Sequence, residues 1–483
     1  VIPNWLNGAE VPAQGGETFP NINPHDGEVL CQVTRSQRVD VEAAVAAAKA
    51  AQPAWAATPA VKRGMLLLEL VRLMMAHQQD IAEVVAAESG KTYAAALGET
   101  QGAIQCGLFY ASEGQRLYGR TTTSGADNKY AMTVRVPMGV AGLIIASNTP
   151  IANVAWKVFP ALICGNSAVL KAAEDTPGTA WLFGQLAKTA GIPEGVLNIV
   201  QGYGVQAGQP LVENPDVDVI SFTGSTGVGR LLNEIAAKRL AKISLELGGK
   251  NPFVVCDDAD LDNAAKWAVL SAFSNAGQRC ASGSRLIIVD AVYEAFRELL
   301  LEKTRALKLG VEPDSDLGPV INERQLNRML QSVQAAQTEG AQVLIGGTRA
   351  SDPALENGFY MSPTLIERVD PLAEISCTEL FGPIALLYRV PDYSAALQLA
   401  NNSPYGLTAS IHTRNIHRAM DFTTRSQSGV VVVNAGTYGS EPHMPFGGKK
   451  HSGNGTREPG TEALDIYSDL KDIYMVIDPG QVL

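Results

Sequence analysis

Val140-Ala141-Gly142-Leu143-Ile144-Ile145-Ala146 decides the fold. It is the first of five short apolar runs; the others are residues 168–171, 196–200, 219–222 and 243–247, and the segments between them (153–163, 177–190, 227–238) have helical composition. Short apolar runs separated by helix-length segments predict βαβ units and a doubly wound parallel sheet, with ligand sites at the carboxyl ends of its strands. Upstream, residues 41–57 are Ala-rich, and residues 62–88 carry Leu66, Leu67, Leu70, Leu73 and Met74 at helical spacing, so the first part reads as helical. Residues 120–136, with Thr121, Thr122, Thr123, Tyr130, Thr133 and Val134, read as a β-hairpin inserted between helices. A second α/β alternation follows Asn251: strand-like 252–256, helical 261–272, strand-like 285–289, helical 293–307, then strands near 343–345, 386–390 and 430–434. Residues 463–477 are again β-rich, and are expected to pair with the hairpin or with another subunit.

The chain has 483 residues, which at roughly 150 residues per domain points to about three domains. A net charge of −11 with only 18% charged residues excludes the concentrated positive charge that nucleic acid or an anionic membrane surface requires. The 46% hydrophobic content excludes disorder, and no apolar run approaches the roughly 20 residues that cross a bilayer. The six cysteines (Cys31, Cys106, Cys164, Cys256, Cys280, Cys377) form no C-x-x-C pair and no close Cys/His spacing. That argues against a metal site and a disulfide framework, and for a reducing cytoplasm. Val1-Ile2-Pro3-Asn4-Trp5 shows no basic segment followed by an apolar one, so no secretory signal is read there; the absence of an initiating Met fits a missing residue or short leader.

Several segments carry chemistry. No G-x-G-x-x-G follows the first run of the sheet; Ala146-Ser147-Asn148-Thr149-Pro150 stands there instead. The best phosphate candidate is Thr223-Gly224-Ser225-Thr226-Gly227, between an apolar run and a helix, where glycines admit close backbone approach and free N–H groups favour an anion. An ordinary capped strand–turn–helix has the same pattern. Cys280 lies in the polar loop Asn275-Ala276-Gly277-Gln278-Arg279-Cys280-Ala281, beside a cation that favours thiolate formation; an inert thiol fits that position equally. Glu246 stands in an apolar run that ends in Gly248-Gly249. A carboxyl buried there is pushed toward neutrality and suited to general-base work, or else it pairs with Lys250 or another cation. Lys171 and Glu174 end a strand, where they can hold a ribose or lie on a solvated edge. Glu379 and Phe381 share a turn, and Phe381 fits either a core position or a cofactor contact.

Together these segments resemble the aldehyde dehydrogenase superfamily across essentially the whole chain. Leu245-Glu246-Leu247-Gly248-Gly249-Lys250-Asn251-Pro252 resembles its glutamate signature, and Gly277-Gln278-Arg279-Cys280 its cysteine signature, with Cys280 34 residues after Glu246. Further matches are Asn148 with Pro150, Lys171 with Glu174, Phe222-Thr223-Gly224-Ser225, Glu379-Leu380-Phe381-Gly382-Pro383, and Pro445-Phe446-Gly447-Gly448 followed by Ser452-Gly453. The resemblance implies that Cys280 attacks an aldehyde, that the Asn148 amide and the Cys280 N–H stabilise the oxyanion, and that Glu246 activates water to hydrolyse the thioester. It implies that Lys171 and Glu379 hold the cofactor riboses, Gly224 and Ser225 the pyrophosphate, and Phe381 the nicotinamide. Glu174 would accept from an adenosine 2′-hydroxyl and repel a 2′-phosphate, so NAD is expected over NADP. The presence of Glu246 argues against the coenzyme-A-acylating branch.

The expected architecture is α/β: a Rossmann-like cofactor domain (1–116 and 138–248), an α/β catalytic domain (249–450), and a small β-rich bridging or oligomerisation element (117–137 and 451–483). An open strand edge on that element implies a homodimer or homotetramer. Arg279 precedes the nucleophile as in branches that oxidise carboxylated semialdehydes, and either pairs with a substrate carboxylate or anchors its own loop. Trp156 and Phe446 are expected to line the substrate tunnel, with Glu441 and His443 making its rim polar. The expectation is an NAD-dependent, semialdehyde-type enzyme. The alternatives are an acylating enzyme and a non-catalytic binding or structural protein on the same fold.

Overall fold

The computed structural model describes residues 1–481. The five apolar runs form parallel strands Val140–Ile144, Ser167–Lys171, Leu197–Val200, Val219–Thr223 and Lys242–Glu246. Burial on both faces explains why they read as unbroken apolar runs rather than as alternation. Val140–Ile144 lies between Val219–Thr223 and Ser167–Lys171. The chain thus reverses its winding beside Val140–Ile144 and opens a crevice at the strands' carboxyl ends. Helices Pro150–Ile163, Pro177–Thr189 and Thr226–Ala237 make the crossovers. Two begin with Pro, whose fixed φ suits a first helical position and whose missing N–H costs nothing there.

The N-terminal region departs from its helical reading. Asn4–Leu6 and Ala9–Val11 form a hairpin that extends the first sheet antiparallel beyond Leu197–Val200, and Thr18–Ile22 pairs with Val29–Thr34. Strands three residues long show no readable period; the burial of Trp5 and Leu6 against the core holds the first one. The segment 62–88 is two helices, Ala60–Ala76 and Gln78–Ser89, broken at His77 with φ −108° and ψ 22°. The His77 ring meets the Asp80 carboxylate at 2.8 Å across that break.

The second sheet runs Gln342–Ile345, Thr364–Glu367, Ile384–Val390, Arg285–Val289, Pro252–Val255, Thr408–His412, Val430–Val433, with only the first strand antiparallel. The sequence pattern misses Thr364–Glu367 and Thr408–His412 because buried polar residues interrupt their apolar character. Tertiary contacts hold two of these groups, Tyr293 Oη donating to Glu367 at 2.9 Å and Ser410 Oγ to the Ala435 carbonyl at 2.6 Å, whereas Thr408 Oγ1 has no partner.

The tail forms a short helix, Leu464–Tyr467, and then the strand Ser468–Val476. This strand pairs with Lys129–Pro137 of the hairpin through nine residues, so the tail finds its partner within the chain. Before reaching it, residues 452–454 lie along the first sheet. There Leu247 N–H donates to the Ser452 carbonyl at 3.1 Å, and Leu245 N–H to Asn454 Oδ1 at 3.2 Å.

Candidate active site

The cysteine loop leaves helix Leu261–Phe273 through three left-handed residues, Asn275 (φ 55°), Ala276 (φ 51°) and Gly277 (φ 68°). A Cβ on Gly277 would stand 2.1 Å from the Gly382 carbonyl oxygen, so close approach as well as φ requires glycine there. Such backbone strain persists only where surroundings over-determine it. Here buried Gln278 donates to the carbonyls of Asn275 (3.3 Å) and Pro319 (3.4 Å) and accepts from Ile321 N–H at 2.8 Å. From the glutamate segment, the Asn251 amide donates to the carbonyls of both Cys280 and Ser282 at 2.8 Å. A Cβ on Gly249 would lie 2.6 Å from the Cys280 carbonyl oxygen. The two signature segments are therefore clamped to each other.

The Cys280 thiol is pushed up to about 12, by burial first and then by Glu379 and Glu246, against the Ala281 N–H and Arg279. Glu246, 5% exposed at the end of strand Lys242–Glu246, has no hydrogen-bond partner on either carboxyl oxygen. Burial, reinforced by Glu458, holds its carboxyl well above the carboxylate range, against Lys157 and Arg457. The alternative of a Glu246–Lys250 ion pair is not what the fold makes. The carboxyl instead faces Gly447, where a Cβ would come within 2.7 Å of its Oε1.

Cys280, Asn148, Arg279, Trp156 and Phe446 line one cavity of about 440 Å³, with Tyr438 and Glu441 on its wall. The Asn148 amide donates to the Gln278 carbonyl at 3.0 Å. Trp156 and Phe446 rings tilt together with centroids 5.6 Å apart. Arg279 anchors its own loop, Nε donating to Ser274 Oγ at 3.2 Å; the guanidinium lies over the Tyr438 ring at 4.9 Å and the residue also lines the cavity.

The candidate cofactor residues lie on three segments, the strand end at 171–174 and the turns at 224–225 and 379–381. Lys171 Nζ meets Glu174 at 2.8 Å at one strand end. Burial pushes Glu174 up, but Lys171, a backbone N–H and Arg324 together more than offset it, and the carboxylate is held below its ordinary range. Gly224 N–H donates to the Glu246 carbonyl at 3.1 Å, and Ser225 begins helix Thr226–Ala237 without capping it by its side chain. Opposite, Glu379 Oε1 accepts from Gly249 N–H at 3.0 Å; burial raises its carboxyl to about 7. A Cβ on Gly248 would lie 2.1 Å from its other oxygen. Phe381 sits in the same turn with φ 58°. Glu174 borders a separate cavity of about 300 Å³ with Asp175 and Arg324, away from the thiol. Among the described residues no group of three or more His, Cys, Asp or Glu could hold a metal ion, and no helix is long and apolar enough to cross a membrane.

Residues 11–473 match the model of the "Aldehyde dehydrogenase family". The chain belongs to the aldehyde dehydrogenase family. It is 38% identical over 475 residues to the alpha-ketoglutaric semialdehyde dehydrogenase of Bacillus subtilis, covering 98% of this chain and 97% of that one. The betaine aldehyde dehydrogenase of Staphylococcus aureus in complex with NAD+ superposes with a TM-score of 0.97 at 30% identity, over 99% of this chain and 96% of that one. An E. coli NADP-dependent enzyme gives 0.95 at 36% identity, over 99% and 98%. This dehydrogenase is an enzyme that oxidises aldehydes.

Sequence reading misses two ion pairs around the dehydrogenase site. Lys157 and Glu458 meet at 2.8 Å with side chains 1% exposed, and Ser221, Ser244 and Tyr467 also donate to the Glu458 carboxylate. Lys91 and Glu99 meet beside Asn148. Partners separated by 301 residues in the first pair leave no local signal. For Lys91, the signal available is a cation in a helix-flanking Ser89-Gly90-Lys91 turn, which more often lies on a surface.

Proposed function

We propose that this dehydrogenase oxidises a polar or carboxylated aliphatic semialdehyde to the carboxylic acid with NAD, through a thiohemiacetal and then a thioester on Cys280. The observation that carries the reading is the convergence of Cys280, Asn148 and Arg279 on one cavity, with Glu246 close enough to raise the thiol.

Cys280 gives its proton to water, and its sulfur forms a bond to the aldehyde carbon as the carbonyl π pair moves to oxygen. The Asn148 amide turns from the Gln278 carbonyl to that oxygen, joined by the Cys280 N–H; fixed dipoles aimed at developing charge lower the barrier most. The dinucleotide, when bound, supplies the hydride acceptor that converts the adduct into a thioester. Glu246, once deprotonated, takes a proton from water as the water oxygen adds to the thioester carbon; the C–S bond breaks and the acid leaves. A coenzyme-A-acylating activity is not favoured, because this hydrolytic base is present.

The residues fit a dinucleotide. First-turn N–H groups of helix Thr226–Ala237 have no side-chain cap and suit a pyrophosphate beside Gly224 and Ser225. Lys171 and Glu379 suit the two riboses, and Phe381 the nicotinamide face. Glu174, held anionic beside Lys171, suits a free 2′-hydroxyl better than a phosphate. Residues 1–116 and 138–248 form the cofactor domain, 249–450 the catalytic domain, and 117–137 with 451–483 the bridging element. Leu470, Tyr474 and Val476 on the strand Ser468–Val476 are exposed, and the strand's outer edge supports a homodimer or tetramer. A monomeric mass by light scattering contradicts that assembly. Six unpaired thiols support a reducing compartment such as the cytoplasm.

One panel tests the substrate and cofactor assignments together: kcat/KM for aliphatic semialdehydes, simple alkanals, aromatic aldehydes and aminoaldehydes, with NAD and with NADP. Carboxylated semialdehydes with NAD rank first. Arg279→Ala lowers kcat/KM for those substrates by roughly 10–100-fold, the worth of one charge-assisted hydrogen bond, and leaves alkanals nearly unchanged. Glu174→Ser raises NADP use by roughly tenfold, since a like charge opposite the phosphate is removed. An unchanged aldehyde ranking in the first variant, or an unchanged cofactor ratio in the second, contradicts the respective assignment.

A further inference from the structure

Asn148 is held by groups outside the motif that supplies it. Its backbone carbonyl accepts from Lys91 Nζ at 2.7 Å and from Asn275 Nδ2 at 3.2 Å. Lys91 is ion-paired with Glu99, the two side chains being 3% and 6% exposed, and both line the cavity with Cys280. The Glu99 Oε1 accepts the N–H groups of Ile151 at 3.0 Å and Ala152 at 3.3 Å. These are first-turn donors of helix Pro150–Ile163, which lack intrahelical partners and favour an anion. One buried ion pair thus fixes the Asn148 carbonyl and the helix start together, while the Asn148 amide stays directed at the cysteine loop.

Stability alone does not account for this arrangement. A buried ion pair is replaced by apolar residues of similar volume at little or no loss, whereas removing one partner leaves an uncompensated charge. What the two ions add here is place: every hydrogen bond they make beyond their own pairing goes to the backbone of residues 148–152.

We propose that Lys91 and Glu99 are positioning residues for Asn148, holding its backbone so that the amide meets the oxygen of the Cys280 adduct. This rests on the reading of Asn148 as an oxyanion donor. Without Lys91 the carbonyl keeps only Asn275, Glu99 carries an unneutralised charge, and the amide loses its aim. A displacement of about 1 Å near a reacting centre can cost 10²-fold in rate.

The test is a double-mutant cycle read by single-turnover NADH formation at saturating NAD and alkanal. Asn148→Ala is expected to lower the rate by roughly 10²–10³-fold, and Lys91→Met by roughly tenfold or more. The double variant is expected to be no slower than Asn148→Ala alone, because residues acting as one unit are not additive. Lys91→Arg restores most of the rate, and NAD affinity is unchanged throughout. Multiplicative losses in the double variant overturn the proposal. If Lys91→Met does not fold, Lys91→Gln, which keeps a donor without the charge, takes its place in the cycle. Failure of both to fold assigns the pair to stability and overturns the proposal too. Failure of the underlying reading looks different: Asn148→Ala by itself would then run at the wild-type rate.

Discussion

Cys280→Ser lowers NAD-dependent aldehyde oxidation by roughly 10⁴-fold or more, while NAD binding, followed by calorimetric titration, stays as in the parent enzyme. The thiol lines the cavity with Asn148 and Arg279, and it is a better nucleophile and acyl leaving group at neutral pH than the Thr149 and Ser440 hydroxyls beside it. In the resting protein burial, Glu379 and Glu246 push it up to about 12, so the neutral thiol dominates. The reactive thiolate fraction grows as pH rises, and hydride transfer is expected to quicken toward alkaline pH. A serine hydroxyl lies still further from ionisation and is a poorer leaving group in hydrolysis, so both halves of the cycle suffer. The NADH absorbance trace measures the loss. A serine variant within about tenfold of the parent rate would remove the sulfur from the mechanism.

Glu246→Gln separates the two halves. Steady-state turnover falls by roughly 10²–10⁴-fold, the usual worth of a general base, while the first equivalent of NADH still appears in a burst. The burst is not slowed, because Glu246 acts as a base only after the thioester has formed. The sign of the pH dependence follows from burial. The Glu246 carboxyl is held well above its ordinary range by burial and Glu458, so its base form is gained at higher pH than in a free carboxyl and grows as pH rises. Deacylation therefore accelerates with pH in the parent enzyme, and that limb vanishes in the Gln variant. Stopped-flow traces across pH check both features. Loss of the burst along with turnover would place Glu246 in the acylation half instead.

Much of this site is legible in the sequence, for definable reasons. The strands from Val140 to Glu246 are buried on both faces, so their apolar runs survive as plain text. Glu246, Cys280, Asn148 and the turn at Gly224 stand at strand ends or in loops where such a sheet collects its ligands. The residues that hold these groups are less legible. Gln278, Asn251 and Glu99 act through hydrogen bonds to distant backbone, and nothing in a linear string says which carbonyl faces an amide. The left-handed path through Asn275 and Ala276 is set by the packing of Gly277 on Gly382, a contact between segments about a hundred residues apart. Arg279 shows the same limit: its spacing from Cys280 is readable, but its place over Tyr438 and on the cavity lining follows from tertiary packing.

The central claim is tested most directly by the mass of the Cys280 peptide after Glu246→Gln protein is mixed with NAD and an aliphatic aldehyde, then quenched in acid. The account predicts that this peptide gains the mass of the aldehyde less two hydrogens, in step with one equivalent of NADH. NADH formed with Cys280 unmodified, or the same gain on another residue, would contradict it.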